Sequence, residues 1–452
     1  MTGRRRAVPD GSGDDRAGCA RSGGLPGLRT LLSGADLPAV VDELERMDAA
    51  PRAGAFALLP HPTAVRVVQM LDTDLQAELL AAMPEDQVRR LVADLAPDDR
   101  ARTLAGLPAP LTERLLGGLS DAERRKTEAV LAHRPETVGR WATPEVVSMP
   151  DTATVGQALD AVRADTGDAE MLYVLPVVDE QQRVVGVVSL RRLLVSDPGL
   201  ALSAVMREPI TAHADDDQEV GANVVRDHGA LAVPVLDDDG RLVGLFTVDD
   251  AMRVLQIEED EDSARSAGME RLRRPYLATS VLALARSRVA WLFVLLVAAT
   301  LTVNVLDFFE DSLEQVVALA LFVPLLIGTG GNVGAQAAST VIRAVAVDDV
   351  RFPDLPRVVG RELVTGLLLG AALAVVAYVP ARFFTDGQVA LVICLSLVVV
   401  CALAATAGGM IPLLAKRVGV DPAVVSAPFI TTFVDATGLV VYFLIAGVVL
   451  GI

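Results

Sequence analysis

The sequence predicts a multidomain membrane protein with three parts: an all-α, superhelical amino-terminal domain, an α+β tandem repeat, and a transmembrane domain of five helices. Three features of the 452 residues support this fold class. Charge is divided unevenly along the chain, one block of sequence occurs twice, and long apolar segments begin only after about 280 residues. The chain is therefore expected to join a large soluble body to a membrane domain.

Acidic residues are concentrated in the first part of the chain. Residues 271–452 contain 12 Lys and Arg and 11 Asp and Glu, a formal charge of +1, so residues 1–270 carry −19 and the whole chain −18. Because nucleic acid phosphates are repelled by an acidic surface, we expect no nucleic-acid partner, and cations are favoured instead. Ordinary solubility is the simpler explanation of the charge when it is taken alone.

The chain opens on residues 1–28, which are rich in Gly, Arg and Asp and contain no apolar core. This composition predicts a disordered leader and no signal peptide. Cys19, Cys394 and Cys401 have neither disulfide nor metal-ligand spacing. No Ser/His/Asp set and no phosphate loop followed by Lys-Ser/Thr is present, so no enzymatic activity is expected.

Residues 29–138 are expected to form the superhelical domain from short helices. Apolar residues recur there at three- and four-residue spacing, as in Val88, Leu91, Val92 and Leu95. Asp98 and Asp99 follow Pro97 and are predicted to lie in the first turn of a helix, where the helix dipole favours acidic side chains.

Residues 139–255 contain the internal repeat. Pro176, Asp179, Gly186 and Ser189 in the first copy match Pro234, Asp237, Gly244 and Thr247 in the second at a constant offset of 58. Each copy reads as two short strands joined by an acidic turn and followed by a helix. The pair resembles tandem CBS domains, which implies a regulatory module that binds adenine nucleotides such as ATP, or metal ions. A dimerisation module without ligand is the alternative.

Residues 256–286 are predicted to form a connecting helix. It contains five consecutive acidic residues, Glu258, Glu259, Asp260, Glu261 and Asp262. Such a charge run is explained either by a solvated helix face or by a cation-sensitive connecting helix between the soluble part and the membrane.

Residues 287–452 are predicted to cross the membrane five times, at roughly 289–306, 316–342, 360–380, 388–414 and 424–450. Basic residues are concentrated before the first span and in the second and fourth connections. The positive-inside rule then places the amino-terminal domains in the cytoplasm and the carboxyl terminus outside.

The second predicted span contains Gly328-Thr-Gly-Gly-Asn-Val-Gly334, which is costly in an isolated helix. In a membrane this composition permits either close helix packing or a broken helix that lines a cavity. Gly328, Gly331 and Asn332 are the candidate pore-lining residues of this span.

The fifth predicted span carries Asp435 near mid-membrane, with Thr431, Thr432 and Thr437 beside it. A carboxylate at this depth costs several kcal/mol unless it faces water, a cation or another polar group. Oxygen ligands without nearby Cys or His favour a hard cation, and Mg²⁺ can be held with its water shell intact. A protonated, hydrogen-bonded structural Asp is the alternative.

Several motifs together resemble the MgtE family of magnesium transporters. They are Pro324-Leu-Leu-Ile-Gly-Thr-Gly-Gly-Asn332, Val341-Ile-Arg-Ala344 and Asp421-Pro-Ala followed by Thr431-Thr-x-x-Asp435-x-Thr-Gly438. The resemblance covers about residues 30–452. It implies a homodimeric, Mg²⁺-selective channel in the membrane lipid with one pore at the subunit interface, closed when cytosolic Mg²⁺ binds acidic groups.

The resemblance also assigns site residues. Asp435 matches the aspartate that holds hydrated Mg²⁺, Thr431 matches a position whose carbonyl faces the same ion, and Ala427 lies at the pore rim. The matching regulatory Mg²⁺ ligands are Asp99, Asp217, Glu219, Asp249, Asp250, Glu258 and Glu259. Three departures stand out: Ala427 in place of Asn or Gly, Trp141 in place of Met, and an unusual connecting helix, which leaves its gating ligands open.

Other functions are compatible with parts of the sequence. Within transport, the ion is alternatively Co²⁺ or Mn²⁺, or the protein is a coupled carrier. A membrane-anchored sensor without transport and a CBS-regulated anion channel belong to different classes. The intramembrane Asp435, which has no basic residue deep within the spans to pair with, argues against both of these.

Overall fold

The computed structural model describes residues 37–452 except 166–168, 170, 273, 347–348 and 426. The predicted leader, with Cys19, lies outside the described residues. The chain divides into two compact units, Met1–Gln256 with Arg273–Thr279, and Ile257–Leu272 with Ser280–Ile452.

The first unit begins with short helices that start at regular intervals along the chain, a periodicity that was not predicted from the sequence. These helices are α1 (Leu37–Arg46), α2 (Ala49–Phe56), α3 (His61–Met70), α4 (Thr73–Ala82), α5 (Glu85–Ala93), α6 (Pro97–Ala105), α7 (Ala109–Leu116) and α8 (Asp121–Ala132). The apolar faces of α1 to α7 share one core that includes Val67, Val68, Leu79 and Leu91. The predicted all-α domain is confirmed.

Polar side chains hold successive helices of this domain together. Arg52, Gln76 and Arg100 lie on every second helix, at equivalent positions, and all three are buried. Each donates hydrogen bonds of 2.6–3.0 Å to carbonyl oxygens eight and five residues earlier. These carbonyls lie at the carboxyl end of the preceding helix, where no intrahelical donor exists. The repeat therefore satisfies its helix ends from within the core.

The start of α8 offers a local test of helix capping. The Ser120 hydroxyl accepts from the Glu123 N–H while the Glu123 carboxylate accepts from the Ser120 N–H, and the Ser120 hydrogen bonds hold the pKa of Glu123 below its ordinary value. Ser120→Ala should cost about 1 kcal/mol of stability. A lowered carboxyl pKa stabilises the fold above the unfolded pKa, and this stabilisation is lost as pH falls through the folded value. The difference from the parent should therefore shrink on acidification.

The measurement is urea unfolding followed by tryptophan fluorescence, at neutral pH and near pH 4, with Ser263→Ala on an exposed helix face as the control. An equal loss at both pH values would contradict the role of Glu123.

The CBS pair forms two three-stranded sheets with the same topology. They consist of β1 (Met149–Pro150), β2 (Val174–Val178) and β3 (Val184–Ser189), then β4 (Ala212–His213), β5 (Ala232–Leu236) and β6 (Leu242–Thr247). The first strand of each sheet is parallel to the second, and the second is antiparallel to the third. The two predicted strands of each copy are confirmed, and the short parallel strand is an addition.

The repeated Asp and Gly residues have clear structural reasons. Asp179 accepts two turn N–H groups through Oδ1, each at 2.9 Å, and Asp237 does the same at 3.0 and 2.8 Å. A Cβ on Gly186 would lie 2.5 Å from Met206 Sδ, and one on Gly244 would lie 2.4 Å from the Thr143 carbonyl oxygen. The second copy therefore requires glycine at this position, because the clash is with backbone, whereas the first leaves no room for a Cβ unless Met206 moves.

Four helices surround these sheets: α9 (Val155–Ala164), α10 (Leu190–Val195), α11 (Leu202–Val205) and α12 (Gln218–His228). The connecting helix α13 then runs over Val248–Ser266. It starts before the predicted residue 256 and ends well before the predicted residue 286. Gly268 causes the early end: it takes a left-handed conformation (φ 67°), and its N–H bonds to the Arg265 carbonyl.

Five helices among the described residues are long and apolar enough to cross a membrane, as predicted. They are α14 (Val281–Phe308), α16 (Ala318–Ala346), α17 (Leu355–Phe384), α18 (Gly387–Arg417) and α19 (Ala427–Leu450), with a short α15 (Glu310–Gln315) between the first two. Each extends beyond or close to its predicted span.

Glycines set the distances between these helices. A Cβ on Gly408 of α18 would lie 2.3 Å from the Gly334 carbonyl oxygen of α16, and one on Gly366 of α17 would lie 2.6 Å from the Cys401 carbonyl oxygen. The backbones therefore approach more closely than any larger residue permits. Gly334 also lets α16 approach α19, since a Cβ on Gly334 would lie 2.9 Å from Ile430 Cγ2.

Candidate functional site

The central side chain of the membrane domain is Asp435 on α19. It lies eight residues after Ala427, about 12 Å along a helix with a rise of about 1.5 Å per residue, and within about 6 Å of the helix midpoint. Its surroundings are apolar, with Ile430, Val434 and Leu439 fully buried beside it in the sequence. The carboxylate is therefore held at a depth where charge is costly.

Asp435 has no protein partner to offset this cost within the part of the chain that the structure describes. Its Oδ1 atom is buried and accepts no hydrogen bond. The alternative of a hydrogen-bonded structural Asp is thus not supported by the described contacts, because buried carboxylate oxygens are normally satisfied.

Gly331 of α16 explains why a second helix comes so close to this carboxylate. A Cβ at Gly331 would lie 2.7 Å from Thr431 Cγ2 and 3.6 Å from Asp435 Oδ1. Only glycine permits this approach. The structure thereby brings together three of the predicted site residues, from two helices.

The threonines of α19 keep acceptor oxygens available. The Thr431 hydroxyl donates to the Ala427 carbonyl oxygen at 2.9 Å, and Thr432 and Thr437 donate to the carbonyl four residues earlier at the same distance. Since the hydroxyl proton is used within the helix, the oxygen lone pairs remain free to face a cation.

Two of the other predicted pore-lining residues lie on the outside of the single chain, and the third, Ala427, is half-buried at the start of α19. Gly328 and Asn332 are exposed, and nothing lies within 4 Å of a Cβ built on Gly328. Asn332, Gln336, Ser339 and Arg343 are all accessible on α16 at spacings of four, three and four residues, which is one face of a helix. We call these four residues the polar face of α16.

A second group of candidate residues lies in the soluble unit. The carboxylate oxygens of Asp98, Asp99 and Asp250 are within 4.8 Å of one another, and all three side chains are buried. Asp98 and Asp99 start α6, and Asp250 lies in the first turn of α13. Burial raises the pKa of Asp250, Arg102 opposes that shift, and the charge of Asp99 adds to it. We call this group the triple-Asp cluster.

Two of the seven predicted regulatory acids, Asp99 and Asp250, are therefore brought together. The other five do not join this cluster. Asp217 instead caps α12, accepting from the Glu219 N–H at 2.8 Å. Asp249 and Glu259 are exposed, and Glu258 is half-buried.

Asp98 and Arg102 were not assigned as site residues from the sequence. Arg102 donates hydrogen bonds to all three carboxylates of the triple-Asp cluster, at 3.2 Å to Asp98 and to Asp250. A local signal existed, because Asp98, Asp99 and Arg102 have the i, i+3 and i+4 spacing of helical ion pairs. No local sequence signal pointed to the contact between Arg102 and Asp250, because the two residues are distant in the sequence.

The CBS pair encloses a cleft of about 370 Å³. Tyr173, Ser189 and Arg192 line it from the first repeat, and Arg207, Glu208 and Ile210 from the segment before β4. An aromatic ring, two guanidinium groups and an apolar wall suit a ligand with a planar base and phosphates.

The fold and these sites define a multi-pass membrane protein that carries a CBS pair and a helical domain on its soluble side. Family comparisons agree. Residues 323–445 match MgtE, described as a divalent cation transporter, residues 36–136 match the MgtE intracellular N domain, and residues 138–198 and 202–257 match the CBS domain.

Individual relatives are similar over most of the chain. The magnesium transporter MgtE of Thermus thermophilus is 39% identical over 326 residues, 72% of each chain, and that of Enterococcus faecalis is 34% identical over 319 residues, 70% of each. A solved structure of the cytosolic domain of the Mg²⁺ channel MgtE in complex with ATP is 31% identical, with a TM-score of 0.48; it covers 53% of this chain and 98% of that one. The chain belongs to the MgtE family.

Proposed function

We propose that this protein is a Mg²⁺-selective channel or transporter that takes up magnesium across the cell membrane. The observation that carries the proposal is Asp435, an unpaired carboxylate near the middle of an apolar helix within the described structure. The names of the relatives, magnesium transporters, support the choice of ion. A cation in transit supplies the charge that the carboxylate lacks.

The chemistry of the site favours a hydrated, hard cation. Asp435 offers one carboxylate and Thr431 offers oxygen, with no thiol or imidazole beside them. Mg²⁺ keeps several waters when it binds to one or two carboxylates, whereas softer metals prefer nitrogen and sulfur. Co²⁺ and Mn²⁺ are the second candidates. A sensor without transport would not need Asp435 unpaired in an apolar helix.

The conduction path is proposed to lie between two copies of the chain. The polar face of α16 is accessible on the single chain, although lipid is a poor environment for Asn332, Gln336 and Arg343. A homodimer that turns this face and Asp435 toward a shared aqueous path removes that cost. Basic residues flanking the spans support a proposed topology with the soluble domains in the cytoplasm and the carboxyl terminus outside.

Cytosolic Mg²⁺ is proposed to close the path by binding acidic groups of the soluble part. The exposed or half-buried predicted acids Asp217, Glu219, Asp249, Glu258 and Glu259 are accessible to ions. Like charges repel when Mg²⁺ is scarce, and bound divalent ions reverse that repulsion, which biases a two-state element.

Growth of bacteria that lack their own magnesium uptake systems tests the direction and the ion. Expression of the chain should restore growth at low external Mg²⁺. If the cells accumulate Co²⁺ or Mn²⁺ and no Mg²⁺, the transported ion is one of those two metals and the proposal of Mg²⁺ is wrong. Failure to grow, with the protein shown to be in the membrane, would argue for a sensor.

ATP is proposed as a ligand of the CBS cleft, because Arg192 and Arg207 both line it. A hydrogen bond to a charged group is worth about 1.5–3 kcal/mol. Arg207→Ala should therefore weaken ATP binding roughly 10- to 100-fold in isothermal titration of the full-length protein. Arg163→Ala, which removes an exposed arginine paired with Asp160, is the matched control. Equal ATP affinities for Arg207→Ala and the parent would exclude this cleft as the ATP-binding site.

A further inference from the structure

Arg102 occupies the centre of the triple-Asp cluster. Its guanidinium donates to Asp98 Oδ2 and to Asp250 Oδ1, each at 3.2 Å, and also to Asp99. Only 11% of the side chain is exposed. The group that joins α6 to the start of α13 is therefore a cation supplied by the chain itself.

A tryptophan fixes the guanidinium from its face. The Arg102 Cζ atom lies 4.1 Å from the centre of the Trp141 ring, a cation–π distance. The Trp141 indole N–H donates to Gln218 Oε1 at 2.7 Å, and both side chains are buried. The ring cannot turn away without losing that hydrogen bond, so Arg102 is held in one position.

Asp99 and Asp250 already have donors other than Arg102. Gln69 donates to Asp99 Oδ2 at 2.7 Å, and Thr247 donates to Asp250 Oδ2 at 3.2 Å. Arg253 approaches Asp99 to 3.8 Å. A divalent ion at the centre would have to displace these donors and would be repelled by two guanidinium groups. The residues present do not fit a Mg²⁺ site.

We propose that Arg102 acts as a built-in cation that keeps the amino-terminal helical domain joined to the second CBS repeat without a divalent ion at this cluster. This inference rests on the proposed function, since it concerns which acids the regulatory Mg²⁺ uses. Asp99 and Asp250 are then not Mg²⁺ ligands, and Mg²⁺ feedback acts through other acidic groups.

The same device occurs in the second unit. Arg265, near the end of α13, donates to Glu261 and to Asp421, which precedes α19. Here too a guanidinium joins two carboxylates from separate segments. At both places, an arginine side chain that binds two or more carboxylates holds segments of the chain together.

Hydrogen exchange by mass spectrometry on the full-length protein in nanodiscs tests the proposal. The readout is protection of the peptides that cover α6 and the first turn of α13, in EDTA and in millimolar Mg²⁺. The parent should show the same protection in both conditions. Arg102→Met, which keeps the stem and removes the charge, should exchange at least ~10-fold faster in EDTA and regain protection when Mg²⁺ is added.

Two further variants sharpen the test. Asp250→Asn in the Arg102→Met background should abolish the recovery by Mg²⁺, and Arg102→Lys should stay protected in EDTA. Arg90→Met, at an exposed ion pair with Asp86, should behave as the parent.

Protection of the parent that appears only with Mg²⁺ would overturn the proposal, as would full protection of Arg102→Met in EDTA. If Arg102→Met is unfolded throughout the unit, two other results decide the proposal. They are the protection of the parent with and without Mg²⁺ and the protection of Arg102→Lys in EDTA. None of these readouts depends on transport, so absence of Mg²⁺ flux would defeat the proposed function and leave this result standing.

Discussion

Asp435→Asn is expected to lower Mg²⁺ flux through the reconstituted protein by about 100-fold or more. Two unit charges about 4 Å apart interact by about 4 kcal/mol at an effective dielectric constant of about 20, and each 1.4 kcal/mol is about tenfold. Asn keeps the shape and removes that attraction for a divalent ion. Asp435→Glu keeps the charge, so it should retain part of the flux.

Stability separates the transport role of Asp435 from a structural one. Its Oδ1 atom accepts no hydrogen bond from the described residues, so Asp435→Asn should leave the melting temperature in detergent unchanged or raise it. A structural Asp would give the opposite pattern, with a lowered melting temperature and normal flux. Asp311→Asn, an acid at the surface of α15, is the matched control and should change neither quantity.

Gly408→Ala is expected to have the largest effect on the stability of the membrane domain. The added Cβ would lie 2.3 Å from the Gly334 carbonyl oxygen and 3.1 Å from the Ala338 backbone nitrogen, so backbone has to move. Overpacking of this kind costs about 1–3 kcal/mol, and a backbone clash belongs at the upper end. For a domain of this size we expect the melting temperature in detergent to fall by about 6–10 °C.

The same change should reduce Mg²⁺ flux, because it pushes α16 away from α18 and disturbs the contact between Gly331 and Asp435. Gly360→Ala on α17 is the control, since nothing lies within 4 Å of its added Cβ and alanine favours the helix. Its melting temperature should stay the same or rise. Equal melting temperatures for Gly408→Ala and Gly360→Ala would contradict the packing described here.

The sequence predicted those parts of the fold that depend on local pattern. Length and hydropathy placed the five membrane helices, because a bilayer sets a minimum apolar length. The constant offset between the two copies of the repeat predicted both sheets of the CBS pair, because the strands and acidic turns repeat with it. The superhelical domain was predicted, but the regular interval between its helices was not, since different side chains fill equivalent positions.

Contacts between distant residues could not be predicted from local pattern. Nothing near Arg102 in the sequence points to Asp250, and nothing near Gly331 points to Thr431. The end of α13 at Ser266 depends on the left-handed Gly268, whose effect is visible only in the backbone. The predicted pore and regulatory residues as sets remain proposals.

The arginines change how the acidic sequence should be interpreted. A net charge of −19 over residues 1–270 suggests many cation sites, but the buried triple-Asp cluster already contains its own cation. Burial of three carboxylates without an opposite charge would be very costly, and the central arginine offsets that cost. Accessible acids are the better candidates for regulation.

We expect the chain alone to pass Mg²⁺ along a path that needs the Asp435 carboxylate. The most direct test is Mg²⁺ influx into liposomes that contain the purified full-length protein, followed with a Mg²⁺-sensitive dye inside. The parent should give influx well above protein-free liposomes, and Asp435→Asn should return it close to that background. Parent influx equal to the background, or full influx with Asp435→Asn in an equally folded preparation, would contradict the claim.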